Sequence, residues 1–183
     1  MRGSAPGCEM TRYADDLVIQ CPTREEAERA LALVQAWTAE RDLTLHPTKT
    51  KIVDAETDGF KFPGYRFVKH RRFPRRKSLA KFREAIRGKT KWTSGRSLHA
   101  IIDDVNRTLI GWFAYFQHSD PTVFGALDGW GRMRWRSIQR KRPGRRGRGR
   151  GADHRRWPNV CFAAFGLFRL KTAHATVVQS SRR

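Results

Sequence analysis

Acidic residues are scarce in this chain. Seventeen Asp and Glu stand against 38 Lys and Arg in 183 residues, giving a net charge of +21 and a pI of about 11.3. Such an imbalance calls for a partner of dense negative charge, of which nucleic acid is the commonest. A membrane surface, or Arg enrichment from a GC-rich genome, is the blander source. Genome bias does not account for the clustering of the arginines, so nucleic acid is the preferred reading. Cysteine is nearly as sparse. Cys8, Cys21 and Cys161 are odd in number and far apart, with no CxxC pair, so neither a disulfide framework nor a zinc site is indicated. The six histidines are scattered without a pair at ligand spacing. No apolar run approaches the roughly 18 residues of a spanning helix, and no apolar signal core follows Met1. A membrane partner is therefore not expected.

Where acids do occur, one pair stands out. Tyr13-Ala14-Asp15-Asp16 lies between Met10–Tyr13 and the β-rich run Leu17-Val18-Ile19-Gln20-Cys21, a strand–turn–strand pattern. Adjacent carboxylates at a hairpin tip suit a hard cation such as Mg²⁺. Two-metal phosphoryl transfer needs such a cluster, because the attacking and leaving oxygens both carry charge. The bland alternative is a solvated turn.

A helix is predicted from Thr23 to about Arg41. Thr23 and Glu26 form a capping box, and Ala27, Ala30, Leu31, Val34 and Trp37 share one face, expected to pack beneath a sheet. Lys51-Ile52-Val53 is a candidate strand after Pro47. Pro63-Gly64 marks a tight turn between Phe60–Phe62 and Tyr65–Phe67. A helix over about 78–87 follows a basic, Pro-broken stretch. Another begins at a Ser97 cap, with Leu98, Ile101, Ile102, Val105, Leu109, Trp112, Phe113 and Phe116 on its stripe, and ends at Asp120-Pro121. A fourth helix is predicted from Thr122 to about Lys141. Alternating Gly and Arg through 142–156 oppose helix and packing, so that segment is expected to be disordered without a partner. Hydrophobicity returns from Trp157 onward, in a tail expected to pack back on the helices.

Taken in order, Arg12–Ile19, Leu43–Val53, Gly59–Phe67, Gly111–Phe116 with Leu127–Trp130, and finally Arg156–Asn159 with Gly166–Phe168 resemble successive blocks of group II intron-encoded reverse transcriptases and maturases. The resemblance covers the chain from about Thr11 to its end. It implies an α+β fold: part of a reverse-transcriptase palm, with antiparallel strands and one helix, followed by a helical thumb or maturase domain. The expected parts are palm over 1–72, thumb over 73–141, a basic Arg/Gly linker over 142–156 and a tail over 157–183.

By that resemblance, Asp15 and Asp16 are the catalytic, metal-binding carboxylates and Mg²⁺ is the cofactor. Lys49 matches a lysine near the incoming nucleotide's phosphates, where a point charge can stabilise pyrophosphate or donate a proton. An exposed lysine in a basic protein is the equal alternative. Phe62, Gly64 and Tyr65 match the primer grip, although Pro63 stands where the family carries a larger aliphatic residue. The family's third carboxylate lies on a strand well before the hairpin, and Glu9 is too close to be it. The chain is thus expected to be a C-terminal piece that does not polymerise DNA alone. A separate fingers–palm fragment, with DNA primer and dNTP, would be its complement.

The remaining partner is RNA, with the intron as its source. Arg132, Arg134, Arg136, Arg140, Lys141 and Arg142, then Arg145, Arg146, Arg148 and Arg150, have few acids nearby and are expected to meet phosphate. A solvated face is their alternative. Trp112, Tyr115, Trp130 and Trp135 could stack on bases, but core packing is the better reading for Trp112. A non-catalytic RNA-binding splicing cofactor is the second reading of the whole chain. The expected compartment is cytoplasmic, bacterial or organellar by family range.

Overall fold

A computed structural model describes residues 7–144 and 151–181. The chain divides into two units, Met1–His70 and Arg71–Arg183. In the first, β1 (Glu9–Tyr13) and β2 (Asp16–Gln20) form an antiparallel hairpin with Met10 opposite Ile19 and Arg12 opposite Leu17. Helix α1 (Arg24–Ala39) starts as its sequence dictates. Thr23 Oγ1 accepts the Glu26 amide at 3.3 Å, and Glu26 Oε2 accepts the Thr23 amide at 3.3 Å. Both ends of the box satisfy backbone donors that the helix cannot.

The stripe of α1 is less buried than its periodicity predicts. Ala27, Ala30, Leu31 and Val34 are half-buried, Trp37 is exposed, and only Thr38 is fully buried. A hairpin of two five-residue strands is too small a surface to cover a four-turn helix. Residues 51–53 form no strand. The chain instead turns through 55–58, where the Asp58 and Gly59 amides donate to the Asp54 carbonyl. A second hairpin follows, β3 (Phe60–Phe62) against β4 (Tyr65–Val68), with the Phe60 and Phe67 rings stacked at 4.8 Å as cross-strand partners.

The second unit opens with the strand β5 (Arg71–Pro74) and continues as helices. These are α2 (Arg76–Lys89), α3 (Leu98–Phe116), α4 (Pro121–Lys141), α5 (Gly151–Arg156), α6 (Asn159–Ala164) and α7 (Leu170–Ser180). Ser97 Oγ accepts the Ala100 amide to start α3. Asp120 Oδ1 accepts the Thr122 amide to start α4, with Pro121 in its first turn. Pro fits there because its missing N–H had no intrahelical partner to lose. The α3 stripe read from spacing is the core: Ile101, Ile102, Val105, Leu109, Phe113 and Phe116 are all buried. Phe82 and Ile86 of α2, Phe124, Leu127, Trp135 and Ile138 of α4, and Phe162 and Leu170 of the tail pack against it.

The tail is pinned by polar contacts as well. Asn106 of α3 donates to the Gly166 carbonyl and accepts the Phe168 amide, each at 2.8 Å. Asp128 of α4 accepts the Leu170 and Lys171 amides at 3.1 Å, capping α7 from a neighbouring helix. One expectation fails here. Residues 151–156, predicted as disordered linker, form α5 instead. The buried Asp153 and the Trp157 amide, which donates to the Asp153 carbonyl at 2.9 Å, anchor that helix.

Candidate functional site

The acidic pair occupies the tip of the first hairpin. Because Tyr13 pairs with Asp16, Ala14 and Asp15 are left as a two-residue loop. Ala14 takes φ 53°, a left-handed conformation that costs a residue with a Cβ about 1–2 kcal/mol. Arg12 Nε donates to the Ala14 carbonyl at 2.8 Å and ties the loop to its own strand. Both carboxylates are exposed, and neither forms an ion pair with another described residue. Their oxygens are the right kind of donor for a hard divalent cation. In number they fall short. Among the described residues no group of three or more His, Cys, Asp or Glu side chains could hold a metal ion.

Lys49 is exposed in a turn over 47–49, its amide donating to the His46 carbonyl at 3.2 Å. Phe62 and Tyr65 face each other across the second hairpin, with Pro63 and Gly64 between them. Gly64 has φ 75°, and Pro followed by Gly is the pattern a type II turn requires. The base of that hairpin is tighter still. Gly59 has φ 66°, and a Cβ there would lie 2.3 Å from the Phe67 carbonyl oxygen.

The first hairpin also joins two residues that the sequence kept apart. Cys8 and Cys21 lie one position beyond the Glu9–Gln20 pair, and their sulfurs are 3.2 Å apart as free thiols. Burial, then the hydrogen bond with Cys8 and the negative field of Cys8 and Glu26, pushes the Cys21 thiol up to about 11. A separation of thirteen residues looked remote only because the hairpin register had not been applied to it.

In the second unit the basic residues of α4 divide by role. Arg136 is buried. Its guanidinium donates to the Trp157 carbonyl at 3.0 Å and to Asn159 Oδ1 at 2.8 Å, and lies 5.4 Å from the Phe162 ring centre. Arg140 donates to the buried Asp153 at 2.8 Å. These two hold the tail, so the expectation that they meet RNA is set aside. An arginine on an apolar face reads in sequence like any other basic residue.

Arg132 and Arg134 are half-buried; Arg134 donates from Nε to Thr90 Oγ1 at 2.7 Å. Lys141 Nζ lies 5.9 Å from the centre of the Trp92 ring, which is 50% exposed. Arg142, also exposed, donates to the Arg96 carbonyl. Arg145, Arg146, Arg148 and Arg150 lie outside the described residues.

Of the aromatics named from sequence, Trp135 is buried and Trp112 packs among Phe82, Phe116 and Phe124. Tyr115 is half-exposed. Trp130 is ringed by guanidiniums: Arg83 at 5.9 Å, Arg87 at 6.0 Å and Arg134 at 5.6 Å from its centre. Sequence reasoning passed over Trp92, Arg83 and Arg87. The signal was present in the Lys91-Trp92 pair just after the basic helix α2 and in the four-residue spacing of the two arginines.

The acids nearby serve the fold. Asp104 accepts Lys89 at 2.7 Å, Arg96 at 3.0 Å and Arg107 at 3.1 Å, while Asp120 accepts Arg71 at 2.6 Å. Hydrogen bonds to Lys89 and Arg96, against an opposing cost of desolvation, hold the Asp104 carboxyl well below its ordinary range. The Arg71 bond does the same for Asp120. Tying these acids down leaves Lys141, Arg142 and the Trp130 arginines with little compensation.

Two family comparisons fall on this geometry. Residues 1–67 match the reverse transcriptase (RNA-dependent DNA polymerase) family, which takes in the acidic hairpin and the second hairpin as far as Phe67. Residues 79–157 match the group II intron, maturase-specific domain, which takes in most of α2 and all of α3, α4 and α5. No curated protein sequence matches the chain.

Proposed function

The chain belongs to the group II intron reverse transcriptase and maturase family, and we propose that its helical unit binds intron RNA to assist splicing, as a maturase does. The observation that carries this reading is the end of α4. There an exposed Trp92 ring sits under Lys141, with Arg142 and Arg96 beside it. A half-exposed indole is a platform for an unpaired base, and cations around it meet the phosphates on either side. No helix among the described residues is long and apolar enough to cross a membrane.

The test is equilibrium binding of a folded intron RNA and an unrelated structured RNA at two salt concentrations. Six to ten phosphate contacts would weaken binding by roughly 10³–10⁵ between 50 and 200 mM salt. Trp92→Ala should weaken both complexes, and Lys141→Gln with Arg142→Gln should flatten the salt slope. Affinity indifferent to salt would refute the reading.

The acidic hairpin supports a second activity within the same family, RNA-directed DNA synthesis. Asp15 and Asp16 would hold Mg²⁺, which when bound neutralises charge on a transferring phosphoryl group. Lys49 would stand near the nucleotide's phosphates, and Phe62, Gly64 and Tyr65 would hold the primer end. The two carboxylates among the described residues are too few for two-metal chemistry, so further ligands would come from fingers–palm residues. Exposed Met10, Tyr13, Leu17, Leu33, Trp37 and Leu43 in the first unit support such a partner. Apolar surface of this kind marks an interaction face. Primer extension on an RNA template, with and without a fingers–palm polypeptide, tests it.

A further inference from the structure

Helix α2 carries no basic residue that the RNA-binding reading above has used. Arg83 and Arg87, four positions apart, lie on one of its faces. On α4, Trp130 and Arg134 are likewise four apart, and the three guanidiniums converge on the one indole. The ring's negative face attracts each cation, but three cations round one ring also repel one another. Glu84 is the acid at hand, reaching Arg87 at 3.3 Å from an exposed position. One carboxylate against three guanidiniums leaves the cluster short of negative charge.

Two details separate this cluster from ordinary packing of arginine on an aromatic ring. Arg83 Nε is shielded from solvent, and no hydrogen-bond partner for it occurs among the described residues. A buried donor without an acceptor is costly, and native structures seldom keep one without a reason. Arg134 is held in place, because Thr90 accepts from its Nε through Oγ1 at 2.7 Å and from Nη2 through its carbonyl at 3.4 Å. Burial, followed by repulsion from Arg87, lowers the Arg134 pKa, with Glu84 opposing. The cluster is thus a fixed, partly desolvated set of donors with an excess of positive charge.

We propose that Arg83, Arg87 and Arg134, gathered round Trp130, form a phosphate-binding site for the RNA backbone. The site rests on the RNA-binding reading but uses α2, which that reading did not need. A phosphodiester offers two anionic oxygens to planar guanidinium forks, a match that an ammonium group cannot reproduce. Trp130 is a positioning residue, since its face is covered by the arginines and is not open to a base. The backbone of the bound RNA then runs across α2 and α4.

The experiment compares the wild-type chain with Arg83→Gln/Arg87→Gln and Arg83→Lys/Arg87→Lys on the folded intron RNA at two salt concentrations. Loss of two phosphate contacts should reduce the slope of log affinity against log salt by about 1.4–1.8 and weaken binding roughly tenfold or more. The Lys pair should keep the slope while binding less tightly than wild type. In parallel, phenylglyoxal modification of the wild-type chain is mapped by peptide mass spectrometry, with Arg83 and Arg87 expected to be protected by RNA. That arm decides if the Gln variant fails to fold by circular dichroism.

A folded Gln variant with wild-type affinity and slope, or equal modification with and without RNA, overturns the site while leaving the RNA-binding reading intact. Absence of salt-dependent binding by the wild type overturns both. A Gln variant that loses heparin binding but not RNA binding assigns the cluster to polyanions in general and overturns its role with RNA.

Discussion

Arg140, in the last turn of α4, donates to Asp153 at 2.8 Å, and Asp153 is 3% exposed. The contact joins α4 to α5 across the Arg/Gly stretch between them. Taking a cation away from a buried carboxylate costs more than the pair stabilises, because less of the desolvation is then offset. Arg140→Ala should therefore destabilise the helical unit, measured by urea unfolding. Removing both partners as Arg140→Leu/Asp153→Leu should cost clearly less. A double variant that loses the sum of what Arg140→Leu and Asp153→Leu lose separately would show that the pair is not coupled.

Acid should loosen the second unit through Asp104 and Asp120. Both carboxyls lie below their ordinary range because hydrogen-bonded cations favour the charged form. A depressed folded-state pKa contributes stability that is complete above the unfolded value, about 3.9 for Asp, and is lost as pH falls through the folded value. Stability should thus be flat above about pH 5 and fall below about pH 4. Asp104→Asn should be less stable at neutral pH and show a shallower acid decline. An unchanged acid profile in that variant would remove Asp104 as a cause.

Gly59→Ala should disrupt the second hairpin. The φ of 66° disfavours a side chain, and the added Cβ would meet a backbone carbonyl at 2.3 Å. A cost of about 1–3 kcal/mol follows from the strained backbone alone. Faster amide exchange at Phe60–Phe67, with the helical unit unchanged, is the expected readout.

The first unit should bind a hydrophobic dye. Every fully buried hydrophobic side chain among the described residues belongs to the second unit, whereas the first exposes Tyr13, Leu33 and Leu43 by more than half. Anilinonaphthalene sulfonate fluorescence should fall on adding a fingers–palm polypeptide, or on Leu33→Gln with Leu43→Gln. Fluorescence insensitive to both would mean that the dye is reporting some other surface.

The cysteine pair gives a covalent reading of the hairpin register. A mild oxidant that accepts two electrons, such as a small disulfide, should link Cys8 to Cys21 in preference to Cys161. Peptide mapping after non-reducing digestion checks this, and a Cys21–Cys161 product would contradict the register.

Much of the architecture was legible because local chemistry and periodicity agree. The Thr23–Glu26 box, the Ser97 cap, the Asp120-Pro121 stop after α3 and the α3 stripe each need only residues within a turn or two. The same reasoning failed where a distant partner decides. Residues 151–156 read as linker by composition, yet a helix forms there because Asp153 meets Arg140. The α1 stripe read as core, yet burial requires a surface opposite it, and β1–β2 supplies only a narrow one.

The candidate sites divide in the same way. Asp15-Asp16 at a hairpin tip, Pro63-Gly64 in a turn and an excess of cations were all determined by the sequence, since each depends on chain neighbours or on composition. Tertiary structure alone decided which cations are available. It buried Arg136 against the tail, paired Arg140 with Asp153, set Lys141 over Trp92, and brought Arg83 and Arg87 of one helix to Trp130 of another. Charge is a property of the residue, but whether that charge is already neutralised depends on which side chains the fold brings within hydrogen-bonding reach.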